Sequence, residues 1–148
     1  MEYALKLLSV FLTSMLELWA AIPMGFVLGI DPLTNSLVSI AGAFAGSAVV
    51  IFGGEKIRKF FEKKAPQDNT EAQGGKKGTA RVIWEKYGAA GLGLLAPWIT
   101  GAPLAAAIGI GLKADPKKLL IWLLLGIVIC TAVLVAMGIF GLSLFKKS

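Results

Sequence analysis

The stretch Leu16-Glu17-Leu18-Trp19-Ala20-Ala21-Ile22-Pro23-Met24-Gly25 decides how this chain is read. It sets one carboxylate and a Pro/Gly pair inside an otherwise uncharged apolar run, residues 7–30. Proline in a helix interior removes a hydrogen bond and clashes with the preceding turn, so the run is expected to break at Pro23-Met24-Gly25. A second such stretch, Ala96-Pro97-Trp98-Ile99-Thr100-Gly101-Ala102-Pro103, interrupts the uncharged run 87–112. Paired interrupted apolar segments in the two halves of a chain are the best sequence pointer to a transport site at the bilayer midplane.

Composition agrees with a lipid environment. Hydrophobic residues make up 56% of the 148 and charged residues 16%, whereas soluble domains carry about a quarter charged residues. At this length a single membrane domain is expected. It divides into a first repeat (1–54), a basic linker (55–86) and a second repeat (87–148). The net charge of +6 does not suggest nucleic acid. The basic residues lie between and beside apolar runs, where positive-inside topology puts them, and not on a face shared with stacking aromatics. With no histidine, Ser-His-Asp chemistry and the commonest metal ligand are excluded. The one cysteine, Cys130, falls mid-run and reads as a small buried hydrophobe. Neither enzymatic activity, nor a metal, nor a cofactor is expected. Only Lys6 and no basic cluster precedes the first run, so that run is expected to persist and not to be cleaved as a signal.

Four apolar runs stand out: 7–30, 33–52, 87–112 and 119–145. The second and fourth lack proline and charge and meet the roughly 20 residues of a spanning helix. Gly42 and Gly46 in the second have G-x-x-x-G spacing, which lets another backbone come close, within the chain or across a dimer. The pieces after Pro23 and on either side of the second break would each reach only about 10–15 Å, too short for a core of about 30 Å. Each broken run is therefore a re-entrant hairpin or a single kinked span. Counting Lys and Arg does not choose between them, since both give 12 on the linker side and 3 on the other. Both keep the linker cytoplasmic in a multi-pass protein of the inner (plasma) membrane.

Internal similarity favours the hairpins. Asp31-Pro32 recurs as Asp115-Pro116, and at the same offset Gly42 matches Gly126, Ala48-Val49 matches Ala132-Val133, and Gly54 matches Gly138. Upstream, allowing four inserted residues in the second half, Pro23 matches Pro103. A hairpin plus one span crosses an odd number of times, so repeating it gives an all-α inverted repeat. Asp31 and Asp115 read as helix caps followed by proline in the first turn. In the linker, Ile57, Phe60 and Phe61 share one helical face, as do Ile83 and Tyr87, and these ends should lie on the cytoplasmic membrane surface. The centre, 65–78, lacks apolar periodicity and should be disordered.

Glu17 is the only ionisable side chain in the four runs. A charged carboxylate at the bilayer centre costs at least about 2.5 kcal/mol on insertion scales, so such groups usually face a polar cavity. Either Glu17 takes up and releases a proton during transport, or it bonds the broken backbone as a structural group. Its candidate partners are Thr13, Ser14, Thr100 and amides freed at the breaks. Irregular backbone at membrane depth must be buried in protein or line a water cavity. Pro23, Gly25, Pro97, Thr100, Gly101 and Pro103 should therefore gather at the centre, with Trp19 and Trp98 lining the cavity. Trp84 and Trp122, near run ends, read as interfacial anchors.

Glu17-Leu18-Trp19-Ala20-Ala21-Ile22-Pro23-Met24-Gly25, with Thr100-Gly101-Ala102-Pro103 in the second half, resembles the small multidrug export protein family, itself similar to the DedA membrane proteins. The resemblance implies two re-entrant hairpins, each paired with a transmembrane helix, in an inverted repeat. It also implies proton-coupled transport by analogy to DedA-like lipid carriers; with Glu17 as the proton-responsive group, export of a small molecule or ion is the expected function. A DedA-like lipid carrier and a non-transporting membrane scaffold stand as alternatives. A homodimer within the lipid bilayer is the expected assembly.

Overall fold

The computed structural model describes residues 1–53, 56, 59, 76–99 and 101–147, with the side chains of 76–81 and 96 outside the description. Gly54, Thr100 and most of the linker, including Ile57, Phe60 and Phe61, lie outside the described residues. Within them the chain is six helices and no strand: α1 (Glu2–Leu16), α2 (Leu18–Val27), α3 (Pro32–Phe52), α4 (Lys76–Ile99), α5 (Ala102–Gly111) and α6 (Pro116–Lys147). α4 begins at Lys76, inside the stretch 65–78 that composition left without structure. It carries a kink at Gly88, whose φ of 65° and ψ of −152° are open to glycine alone among ordinary residues.

Both α3 and α6 are long and apolar enough to cross a membrane. The 21 residues of α3 rise about 31 Å at 1.5 Å each, matching a hydrocarbon core of about 30 Å. α2 and α5 have 10 residues each, about 15 Å, or half that thickness. Leu125, Ile129, Met137 and Phe140 of α6 are exposed, as are Leu33 and Leu37 of α3. So broad an apolar exterior is stable against acyl chains rather than water.

The short helices fold back on the helices before them. Lys6 Nζ of α1 donates to the Leu28 carbonyl beyond α2 at 3.1 Å, whereas a continuous helix would put them about 33 Å apart. In the second half, a Cβ on Gly109 of α5 would stand 3.1 Å from Leu92 of α4. Each hairpin is laid against its long helix by small residues. On α3, Gly42 and Gly46 leave room for the Phe11 and Met15 carbonyls of α1, where a methyl group would collide. On α6, Gly126 makes room for the Gly93 carbonyl of α4. Pro97, having no N–H, withholds the donor that a helix would aim at that same carbonyl. The partner of the Gly42–Gly46 motif is therefore α1 of the same chain.

The halves repeat in backbone detail at the spacing of Asp31 from Asp115, 84 positions. Ala21 N–H donates to the Glu17 carbonyl (3.2 Å) as Ala105 N–H does to Gly101 (3.0 Å). Ile30 N–H donates to the Gly25 carbonyl (3.0 Å) as Ala114 N–H does to Gly109 (2.9 Å). The left-handed residue before the long helix is Gly29 in one half (φ 74°) and Lys113 in the other (φ 63°). Both caps recur: Asp31 Oδ2 accepts from Thr34 N–H at 2.8 Å, and Asp115 Oδ1 from Lys117 N–H at 3.0 Å. The Thr34 amide bond holds the Asp31 carboxyl below its usual value. Because the offset is constant, the four-residue insertion inferred from the prolines is wrong. Pro23 stands where the second half has Ala107, and Pro103 where the first half has Trp19.

The two halves differ in burial. Ala102 through Ala107 of α5 are all buried, with Gly109, among residues of α3, α4 and α6. On α2 only Leu18, Ala21, Ile22 and Gly25 are buried, leaving Trp19, Ala20, Pro23 and Val27 exposed.

Candidate functional site

Neither Pro23 nor Pro97 interrupts its helix; the first break lies outside the expected Pro23-Met24-Gly25, and the second lies inside the expected 96–103. α2 runs through Pro23 from Leu18 to Val27. Proline in its second turn deprives the Trp19 carbonyl of its helical donor, a loss of one hydrogen bond on the exposed side of α2. The break falls at Glu17, whose φ of −147° and ψ of 109° are extended. One residue serves both helices. Glu17 N–H donates to the Thr13 carbonyl at 2.7 Å and closes α1, while its own carbonyl starts α2. In the second half α4 passes through Pro97 to Ile99, and the break lies at Gly101, with φ 85° and ψ 153°. Pro103 stands in the first turn of α5, where a missing N–H costs nothing.

The two breaks meet. Leu18 and Ala102, the first residues of α2 and α5, lie in one buried cluster with Ala43 of α3 and Ile127, Cys130 and Leu134 of α6. The Trp19 and Trp98 rings contact edge to face with centroids 6.5 Å apart, a preferred aromatic geometry. Glu17, Trp19, Pro97, Trp98, Gly101 and Pro103 thus belong to one region, at the start of the two half-length helices. Pro97, Gly101 and Pro103 are buried, Trp98 is half-buried, and Trp19 is 42% exposed. Gly25 is elsewhere: a Cβ there would run into the Asn35 amide, so it belongs to the contact of α2 with α3. Pro23 faces outward, lining a groove beside α6. Trp84 is half-buried and packs on the cluster around α5.

Glu17 is exposed at the surface of the helices and, among the described residues, no side chain donates to it. Two of its expected partners are engaged elsewhere. Ser14 Oγ donates to the Phe11 carbonyl at 2.8 Å, and Thr13 Oγ1 lies 3.9 Å from Met24 Sδ. The carboxylate stands at the N-terminus of α2, where the helix dipole and the free amides of the first turn favour negative charge.

Two buried polar residues, Asn35 and Thr131, were not singled out from sequence as site residues. Asn35 is fully buried; its Nδ2 donates to the Ile22 carbonyl at 3.0 Å and its Oδ1 accepts from Ser39 Oγ at 3.4 Å. An amide inside a spanning run is a signal that could have marked it. Thr131, midway along α6, is 1% exposed, and its hydroxyl has no hydrogen-bond partner among the described residues. Its equivalent in the first half, Ser47, donates to the Ala43 carbonyl at 2.9 Å. Thr131 shares its helical stripe with Ile127 and Leu134, which belong to the same buried cluster as Leu18 and Ala102. No group of three or more His, Cys, Asp or Glu suited to a metal occurs among the described residues.

No curated protein and no solved structure matches the chain. A family model, described as "Putative small multi-drug export protein", matches residues 17–133. The match opens on Glu17 at the first break and continues two residues past Thr131, well over half of the chain. This chain belongs to that small multi-drug export protein family.

Proposed function

We propose that the protein is a small multi-pass transporter of the inner membrane that exports a small molecule or ion through a midplane site where its two helix breaks meet. The observation that carries this reading is the contact of Trp19 with Trp98, together with the presence of Leu18 and Ala102 in one buried cluster. Family membership and two spanning-length apolar helices support the membrane and export parts of it. The α1–α2 and α4–α5 pairs are read as re-entrant hairpins entering from opposite faces, related by an inverted repeat. Support comes from the return of α2 to the level of Lys6 and from the constant backbone offset between halves. The same arrangement supports kinship with the DedA proteins.

Glu17 is the proton-responsive group in this reading. It is the one carboxylate in the apolar segments, stands at a helix break, and has no side-chain donor among the described residues. Protonation would remove its charge and its attraction to the α2 N-terminus together, coupling proton occupancy to the state of the break. The orphan Thr131 hydroxyl offers a buried polar contact on the α6 face behind the two helix starts.

Efflux of a fluorescent organic cation from proteoliposomes of the full chain, measured across a range of internal pH, tests the reading. Glu17→Gln should leave the protein folded and remove the pH dependence of efflux. PH-dependent efflux that survives in Glu17→Gln would take Glu17 out of the mechanism, and absence of efflux by the unaltered protein would favour a scaffold.

A further inference from the structure

We propose that the groove between α2 and the C-terminal third of α6 binds one anionic glycerophospholipid of the surrounding leaflet. An acyl chain lies along Ile22, Phe26, Gly138 and Gly141, and the phosphate meets Lys146. The inference rests on membrane placement alone and is independent of transport by Glu17.

The groove has two confluent parts, of about 420 and 580 Å³, sharing Phe26, Leu142 and Phe145. Its inner part reaches Trp19, beside the break at Glu17, and is lined by apolar side chains and glycine. Its outer part opens past Gly29 and Pro32 to Ser143 and Lys146. From Leu134 to Lys146 it follows α6 for about 18 Å, close to the 15 Å or so of one leaflet of the core. One end is therefore at midplane and the other among headgroups.

Charge selects the occupant. Lys146 is the one ionisable residue in the lining, and Lys147 follows it, exposed in the same last turn. Lys6 lies at this end of the molecule too, tied to the Leu28 carbonyl. Asp31 is near, but its carboxylate accepts the Thr34 amide and caps α3. A second copy docked here about a two-fold axis would bring Lys146 toward its own equivalent, because such an interface pairs a patch with itself. An anionic headgroup meets the rim with opposite charge. The groove is also particular to this half. Trp19 and Pro23 are exposed, whereas their equivalents Pro103 and Ala107 are buried.

Fluorescence quenching of Trp19 by brominated lipid tests the site. The protein carries Trp84→Phe, Trp98→Phe and Trp122→Phe and is reconstituted in phosphatidylcholine vesicles doped with brominated phosphatidylglycerol or brominated phosphatidylcholine. Quenching should saturate with an apparent association constant about fivefold tighter for the anionic lipid, the weight of one lysine near a membrane surface. Lys146→Ala with Lys147→Ala should remove that difference. Gly141→Leu, whose side chain would enter open space, should fill the groove and reduce quenching by both lipids. Equal constants for the two lipids would overturn the proposal, as would quenching indifferent to Gly141→Leu. A Trp19 shielded from both lipids, with Gly141→Cys chains cross-linking to each other, would assign the groove to a second copy instead.

Discussion

At Gly46 a single missing methyl group decides how close α1 can come to α3. The Met15 carbonyl and α-carbon occupy the space where a Cβ would sit, and neither is the movable end of a side chain. Gly46→Ala should therefore destabilise the protein by about 1–3 kcal/mol, the usual size of an overpacked contact. Gly141 is the internal control, since a Cβ there meets nothing within 4 Å. Gly141→Ala should leave stability unchanged or raise it by up to about 1 kcal/mol through helix propensity. Melting temperatures of the two variants in one detergent check the contrast. The spacing of Gly42 and Gly46 was legible in sequence because a small-residue motif states its own purpose. Which helix it receives was not, since that depends on where the chain returns. Asn35 escaped notice for a related reason: its donor function is explained only by the Ile22 carbonyl, 13 residues away in sequence.

The helices were legible as apolar runs, and the second break falls within the expected 96–103, but the first lies at Glu17 and not at Pro23-Met24-Gly25. Proline is a strong local signal, and here α2 and α4 both continue through one. Pro23 sits near the start of its helix, and the carbonyl that Pro97 leaves without a donor is packed against Gly126. The true breaks lie at Glu17 and Gly101, which hold equivalent positions with different backbone angles. Glu17 is extended, a conformation any L-residue adopts, so a functional side chain can stand there. Gly101 has φ 85° and ψ 153°, a region nearly closed to residues with a Cβ. Gly101→Ala should cost about 1–3 kcal/mol although nothing crowds the added methyl, whereas Glu17→Ala should carry no such backbone penalty. Chemical unfolding of the two variants should separate them in that order. A similar loss in both would mean that the break at Gly101 does not require its positive φ.

For the whole molecule, the repeat is the organising fact, and sequence disclosed it through Asp31-Pro32 and Asp115-Pro116. What it could not disclose was direction, because the counts of basic residues tie. The fold supplies distances that bear on direction: Lys6 beside Leu28, and the end of α6 beside Gly29 and Pro32. In the proposed topology α3 crosses the bilayer, the starts of α1 and α3 share one face with the end of α6, and the starts of α4 and α6 share the other. The central claim is that two equivalent hairpins enter from opposite sides and bring their breaks together. Leu33 and Lys117, equivalent positions just after the two Asp-Pro caps, are both exposed. The direct test introduces Leu33→Cys or Lys117→Cys in a Cys130→Ala background and labels sealed inside-out and right-side-out vesicles with a membrane-impermeant thiol reagent. Labelling of the two positions from opposite faces is the predicted result; labelling of both from the same face would contradict it.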